Sequence, residues 1–280
     1  MNDDRNTRGS RSVGCGVTPG LKTRRPILAC AVLAAVLFVP SRPFVVVAAD
    51  GARAIIEEVQ KRTTSQSERY EGLLKTTDSG GRVTEKRWLY HRLGSHGEGK
   101  SVIRFTAPAE VRGVTLLIVN HPDRASDQWM WTPALERDRR IALQDRSTRF
   151  FGTDFSFEDL DERDVDHYDY VQLEDETIDG VPCWTIQAIP KPSKNSQYSK
   201  AVFWVRQDNH AYARGDFWVG DTIVRRLIFN DLREVQGIWT AHDLTMTDLR
   251  RDSRTQLILD KVRYNLPLRD EDFTLEAIRR

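Results

Sequence analysis

Apolar and polar residues alternate in short runs along most of the chain beyond residue 50. The first run has helical spacing and follows Asp50, a suitable N-cap. Its apolar positions are Ala52, Ile55, Ile56 and Val59. The later runs have the length and alternation of strands and are separated by turn residues. They cover residues 70–77, 83–93, 101–106, 114–119, 171–178, 181–189, 201–206, 211–218, 222–231, 238–249 and 255–264. One amphipathic helix and about ten strands are therefore predicted.

The connections between these runs favour an antiparallel arrangement. The pair Asp179-Gly180 suits the type I′ turn of a tight hairpin. Leu244 and Met246 alternate with polar neighbours, as in a sheet that is wet on one side. Neither a repeat of about 20–50 residues nor a long linker divides the chain. Residues 50–280 are therefore predicted as one mainly β domain with few helices, built on a large curved sheet, an open barrel or a sandwich.

The first part of the chain differs in charge and hydropathy from the rest. The whole chain has 42 basic and 41 acidic residues, so its charge gives no indication of nucleic acid as a partner. Basic residues precede the apolar run 27–39, which is too short to span a bilayer, and Ala49 lies in a suitable cleavage context. Residues 1–49 are therefore predicted as a cleaved signal peptide with a basic leader, which places the protein in the periplasm. The alternative is an inner-membrane anchor formed by residues 27–49.

Acidic side chains are concentrated between residues 150 and 170, where no strand is predicted. They are Asp154, Glu158, Asp159, Asp161, Glu162, Asp164 and Asp166. Such a group could ligate calcium or supply an acid/base pair, but it lacks the glycine of an EF-type loop. The acids are interpreted more simply as the solvated start of a short helix near Ser156, in a segment that lies over the sheet.

The sequence contains no recognisable catalytic or cofactor motif. Its six histidines form no close ligand pair, and neither a serine nucleophile motif nor a phosphate-binding loop is present. We therefore predict no catalytic residue, no metal site, no cofactor and no enzymatic activity. The seven tryptophans lie mostly in strand-like runs, where packing in the core is their usual role. On the concave face of a curved sheet, large apolar side chains can also surround a cavity that suits an acyl chain.

Three stretches of the sequence resemble a known family. They are Phe105-Thr106-Ala107-Pro108 followed by Val111 to Leu117, Gln128 to Leu135 with Arg139-Arg140-Ile141, and Phe151 to Leu160. In order and spacing they resemble the outer-membrane lipoprotein-sorting protein family, which is related to LolA and LolB. The resemblance covers roughly residues 53–280 and includes the closing Asp272-Phe273-Thr274-Leu275. The chain departs from that family in being longer than the LolA carriers and in lacking an acylated cysteine of the LolB kind.

The resemblance implies a fold and a function. The fold is an incomplete, strongly curved antiparallel β-barrel closed by helices, with an apolar cavity that takes lipid chains. The function is that of a non-catalytic, chaperone-like periplasmic carrier of lipids or lipoproteins, whose acyl chains are its ligands. The resemblance also implies an inner-membrane permease that exports hydrophobic molecules as a partner.

Two groups of candidate residues follow from these stretches. The lipid-binding candidates, expected to form an aromatic wall or mouth, are Trp129, Trp131, Phe151, Phe155 and Phe157. Packing in the core is the alternative role for them. The candidates expected to hold residues 151–160 against the neighbouring strand by ion pairs are Arg139, Arg140 and Asp154. Separate surface charges are the alternative for this second group.

Two other functions remain open from the sequence. The first is a structural or adaptor subunit of the envelope that binds a protein of a hydrophobe-exporting permease system. The second is a hydrolase that uses the acidic segment 150–170. Bound lipid, a stoichiometric protein complex or turnover by the acidic residues would distinguish the three.

Overall fold

In the computed structural model, which describes residues 49–280, one helix accompanies fourteen strands. The helix is α1 (Ala49–Thr63). The strands are β1 (Ser67–Thr77), β2 (Val83–Leu93), β3 (Lys100–Ala107), β4 (Thr115–Val119), β5 (Asp127–Thr132), β6 (Arg137–Arg140), β7 (Tyr168–Gln172), β8 (Glu176–Ile178), β9 (Val181–Pro190), β10 (Lys200–Arg206), β11 (Tyr212–Val219), β12 (Thr222–Val235), β13 (Ile238–Asp248) and β14 (Ser253–Tyr264). The predicted signal peptide lies outside the described residues, except for Ala49.

All fourteen strands belong to one antiparallel sheet. Its order is β6-β5-β4-β3-β2-β1-β14-β13-β12-β11-β10-β9-β7, and β8 pairs with another part of β9. The chain therefore forms two meanders, which meet in the middle where β1 pairs with β14. The edge strands β6 and β7 do not pair with each other, so the barrel is not closed. This confirms the predicted mainly β fold and the incomplete antiparallel barrel.

Local sequence accounts for most elements. The predicted helix is present, and its residues Ala52, Ile56 and Val59 are buried in the main core. Asp179 and Gly180 both have positive φ angles, 49° and 81°, as a type I′ turn requires. One prediction differs, because residues 171–178 do not form a single strand. The Asp175 carboxylate accepts hydrogen bonds from the side chains of Gln172 and Gln207, and the strand is interrupted between β7 and β8.

A long connection joins the two edges of the sheet. We call residues 141–167, between β6 and β7, the crossing segment. It contains three short 3₁₀ turns, in agreement with the predicted loop and short helices. It lies against the middle of the sheet, because the Asp154 carboxylate accepts hydrogen bonds from the hydroxyls of Ser253 (2.5 Å) and Thr255 (2.7 Å) on β14. The main core lies between the sheet, α1 and the crossing segment.

A second, smaller core covers the opposite face of the sheet near β3–β5. There Phe273 and Ile278 of the C-terminal segment pack with Val102 and Leu117. Leu116 on the same strand faces the main core instead. Because apolar layers cover both faces at this point, β4 has a continuous apolar sequence rather than an alternating one.

Candidate functional site

The concave side of the sheet contains a cavity of about 380 Å³. An adjoining cavity of about 230 Å³ shares part of its lining, including Val59, Glu162 and Leu244. Apolar walls come from α1, the crossing segment and the sheet, represented by Ile56, Val59, Phe155, Leu160, Met246 and Leu257. The larger cavity lies within the range of roughly 300–1,000 Å³ found for small-molecule sites.

Charged groups lie at the α1 end of this cavity. The Arg92 guanidinium, which is buried, pairs with the Glu68 carboxylate at 3.0 Å and with the Glu162 carboxylate at 3.2 Å. Burial and the neighbouring Glu68 carboxylate raise the pKa of Glu162 to about 7, against the attraction of Arg92. Glu162 still has 19% of its side chain accessible, on the cavity side. With both acids ionised, this end of the cavity has one excess negative charge.

Tyrosines make up much of the remaining polar surface. Tyr70 and Tyr90 stack with their ring centres 4.6 Å apart, and Tyr168, Tyr170 and Tyr212 also line the cavity. Burial raises the pKa of all five phenols. They therefore remain neutral at physiological pH and can donate hydrogen bonds inside the cavity.

Arg163 provides a positive charge at another part of the lining. Its guanidinium carbon lies 4.8 Å from the ring centre of Phe203 and 5.3 Å from that of Phe217. Such distances are typical of cation–π contacts. Among the described residues, Arg163 forms no ion pair within 4.0 Å, although Asp159 and Asp161 line the same cavity.

The interpretation of the acidic run as the solvated start of a helix is wrong for its central members. Asp159 pairs with Arg225 at 2.7 Å, with only 2% of either side chain exposed. Asp161 pairs with Lys194 at 3.0 Å and is equally buried. The basic partners come from distant parts of the chain, so the local sequence could not reveal them. These carboxylates stabilise the position of the crossing segment, because removing either partner would leave a buried charge uncompensated.

The carboxylate oxygens of these acids accept hydrogen bonds from neighbouring side chains. This affects whether they could act in hydrolysis or bind a metal ion. Asp161 accepts hydrogen bonds from Ser126, Gln128 and Lys194. Asp159 accepts them from Tyr198 and Arg225, among others. Neither group resembles an acid or base directed at a substrate. In the described part of the chain, no three His, Cys, Asp or Glu side chains are grouped so that they could hold a metal ion.

The five lipid-binding candidates do not form one wall. Phe155 lines the cavity, whereas Phe151 and Phe157 pack around Phe150, with ring centres 5.0 Å and 5.4 Å from its own. Trp129 and Trp131 share a face of β5, as expected, but it is the convex face, where the C-terminal segment covers them. The two tryptophans therefore lie outside the cavity, which corrects the expected location.

The expected ion pairs of the second group of candidates are also absent. Arg140 pairs with Asp127 instead, and its guanidinium lies 5.9 Å from the Trp129 ring centre. Arg139 is exposed on the edge strand β6 and forms no ion pair in the described part of the chain. Asp154 is fully buried and pairs with Arg149 at 2.8 Å. The physical reason is that Arg140 lies opposite Trp129 on the convex face and Arg139 is exposed on the edge strand, whereas Asp154 is held against β14 in the middle of the sheet.

Several residues of the cavity were not identified from the sequence. Tyr70 and Tyr90 occupy inward positions of two predicted strands, so their alternation with polar residues could have indicated them. Arg92 and Arg163 gave no comparable signal. Charged residues in strands and loops are usually exposed, and only the tertiary contacts show these two at the cavity.

One family model and several solved structures are similar to this chain. A model of an "uncharacterized protein"-like family matches residues 97–280. A solved structure of a DUF1329 family protein from Desulfovibrio piger has 28% identity and a TM-score of 0.79, over 82% of this chain and 98% of that chain. A solved structure of a proposed outer membrane lipoprotein-sorting protein domain from Vibrio parahaemolyticus has 25% identity and a TM-score of 0.79, over 83% of this chain and 100% of that chain.

A more distant similarity concerns the fold alone. A LolA superfamily protein from Nitrosomonas europaea has 20% identity and a TM-score of 0.65, over 80% of this chain and 98% of that chain. No curated protein sequence matches this chain. Within residues 49–280, no helix has the length and hydropathy needed to cross a membrane.

Proposed function

We propose a carrier function on the premise that the chain belongs to the LolA-like superfamily of outer-membrane lipoprotein-sorting proteins, through the family whose model matches residues 97–280. In this proposal the protein binds the acyl chains of a lipid or lipoprotein in the periplasm and transports them across the envelope without changing them chemically. Residues 1–49 are its cleaved signal peptide, and residues 50–280 are a single lipid-binding domain.

The observation that carries the proposal is the apolar cavity between the concave face, α1 and the crossing segment. Transfer of an acyl chain from water into apolar surroundings is favourable by about 0.8 kcal/mol for each buried methylene. Walls such as Ile56, Phe155, Met246 and Leu257 offer these surroundings. The charged groups of the lining come from β1 and the crossing segment, whereas β12, β13 and β14 contribute only apolar side chains, such as Leu227, Met246 and Leu257. This apolar part of the wall suits a ligand with a long apolar part.

The way in which the cavity is covered also supports a carrier. The crossing segment connects the two unpaired edges and is held mainly by side-chain contacts, such as Asp159 to Arg225 and Glu162 to Arg92. It has few backbone pairs with the sheet, so its displacement would leave the strand ladders intact, although the buried Asp159–Arg225 pair and the core contacts of Phe150 and Phe157 would have to separate. In this proposal the ligand enters and leaves past this cover while the sheet stays intact.

The ligand and the partner are parts of the same proposal. An inner-membrane permease that exports hydrophobic molecules is the partner expected to exchange the lipid with this cavity. The alternative is a structural or adaptor subunit of such a permease system. It predicts a stoichiometric complex in which the cavity holds no lipid.

Native mass spectrometry combined with lipid extraction tests the proposal on protein purified from the periplasm. We expect a copurified lipid, and binding of a fluorescent fatty-acyl probe after the lipid is removed. Leu244→Trp should reduce probe affinity, because Leu244 lines both cavities. The matched control is Thr245→Trp, on the opposite face of β13. Absence of lipid, together with equal probe binding by both variants, would reject the carrier function.

A further inference from the structure

The charges that line the cavity are distributed unevenly. Asp159 and Asp161 are each paired with a basic residue, Arg225 and Lys194. At the α1 end, Glu68 and Glu162 share the single cation Arg92. Arg163 has no acidic partner within 4.0 Å in the described part of the chain. The lining is therefore negative at the α1 end and positive at Arg163.

The surroundings of Arg163 hold its charge in place. The guanidinium lies over Phe203 and Phe217, which are almost completely buried, with 3% and 2% of their surface exposed. Aromatic faces attract a cation but leave its N–H donors free for another acceptor. Burying part of a guanidinium without a carboxylate partner costs free energy. An anionic ligand would offset this cost by accepting hydrogen bonds from the guanidinium.

Two phenols provide further donors near this charge. The Tyr212 ring packs at a tilt against Phe203 with ring centres 5.3 Å apart, and Tyr168 lines the same cavity. Burial raises the pKa of both phenols, and the charge of Arg163 opposes this rise for Tyr212, as the charges of Lys194 and Arg163 do for Tyr168. Neither hydroxyl forms a hydrogen bond within the described part of the chain. Both phenols are neutral and can donate to an anion.

We infer that Arg163, Tyr168 and Tyr212 form a head-group site for an anionic amphiphile, a long alkyl or acyl chain that ends in a carboxylate or a phosphate. The inference rests on the proposed carrier function and specifies its ligand. The Arg163 guanidinium pairs with the anion, and the two phenols donate hydrogen bonds to it. The chain extends over the apolar wall formed by residues such as Leu244 and Leu257.

The opposite charges of the two regions determine the orientation of the ligand in the cavity, that is, at which end its head group lies. A head group placed beside Glu68 and Glu162 would meet an excess negative charge, whereas at Arg163 it meets an uncompensated positive one. Low polarity inside the cavity strengthens both effects relative to water. A neutral amphiphile of the same length lacks this preference and is held by its chain alone.

Binding of ligands with a common chain tests this inference on lipid-stripped protein at pH 8. Hexadecanoate and hexadecyl phosphate are compared with hexadecanol by isothermal titration. We expect at least one anion to bind about tenfold or more tightly than the alcohol. Arg163→Met should remove that difference by weakening only the anion, and Arg163→Lys should retain most of it. Tyr168→Phe and Tyr212→Phe should each weaken the anion several-fold.

A matched control separates charge recognition from packing. Arg140→Met removes another arginine that lies over an aromatic ring, but on the convex face beside Trp129. It should leave the affinities for all three ligands unchanged. Equal affinities of the wild type for alcohol and anions, or equal losses for both in Arg163→Met, would overturn the head-group site and leave the carrier intact. Absence of binding by all three ligands would overturn the carrier function and the head-group site together.

Discussion

Arg225 on β12 donates a hydrogen bond of 2.7 Å to the Asp159 carboxylate of the crossing segment, and water reaches only 2% of either side chain. The Tyr198 hydroxyl joins the pair by accepting from Arg225 at 2.6 Å and donating to Asp159 at 2.7 Å. This buried triad connects the cover of the cavity to the far half of the sheet. It gives the crossing segment a defined position that the segment's own short turns could not provide.

Removal of one partner of this pair should destabilise the protein strongly. Arg225→Met should lower the free energy of unfolding by about 3–5 kcal/mol, because it leaves the Asp159 carboxylate buried and uncompensated. Urea unfolding followed by tryptophan fluorescence measures the change. The control Arg226→Met removes a half-exposed arginine whose partner Asp216 keeps Arg214. Arg226→Met should lower the free energy of unfolding by less than Arg225→Met does. A loss below about 1 kcal/mol in Arg225→Met would show that water reaches Asp159.

The stability of the protein should depend on pH through Glu162. Burial and Glu68 raise the pKa of Glu162 from its ordinary 4.5 to about 7, so between these values the folded protein binds the proton more tightly than the unfolded chain. The free energy of unfolding should therefore fall as the pH rises from about 4.5 to 7 and change no further above that. The contribution of this group is at most about 3 kcal/mol.

Denaturant unfolding of the wild type and of Glu162→Gln at a series of pH values checks this dependence. Glu162→Gln should flatten the curve in this window relative to the wild type, because the amide does not titrate. Glu174→Gln, on an exposed loop, is the control that should leave the curve unchanged. Parallel curves for the wild type and Glu162→Gln between pH 4.5 and 7 would contradict the raised pKa.

Two neighbouring phenylalanines should respond differently to truncation. Phe157 packs against Phe150 away from the cavity, so Phe157→Ala should cost about 3–5 kcal/mol of stability and leave probe affinity unchanged. Phe155 forms part of the cavity wall. Compared with Phe157→Ala, Phe155→Ala should therefore lower the free energy of unfolding less and weaken probe binding more. Unfolding and probe binding are measured on the same lipid-stripped samples. Identical effects of both substitutions on affinity would remove Phe155 from the binding site.

Export should remove the first part of the chain. The short apolar run 27–39 and the cleavage context at Ala49 predict a mature N-terminus at Asp50. Intact-mass measurement on protein from the cell envelope tests this directly. A mass that still includes residues 27–49 would instead support the membrane anchor.

The sequence by itself determined the local elements of this protein. The spacing of Ile56 and Val59 predicted α1, and the Asp179-Gly180 pair predicted the turn between β8 and β9. These features depend on neighbours within a few residues, through side-chain periodicity and backbone preference. The resemblance of longer stretches to the lipoprotein-sorting family indicated the curved sheet.

Only the tertiary structure decided which faces and which charges meet. The alternation of strand residues showed that Trp129 and Trp131 share a face, but the same alternation is compatible with either side of the sheet. The C-terminal segment, more than 130 residues later in the chain, covers them on the convex side. Likewise, Asp159 finds Arg225 through the pairing of distant strands. Periodicity records the direction of a side chain relative to its neighbours, whereas its partner depends on how distant strands and loops are brought together.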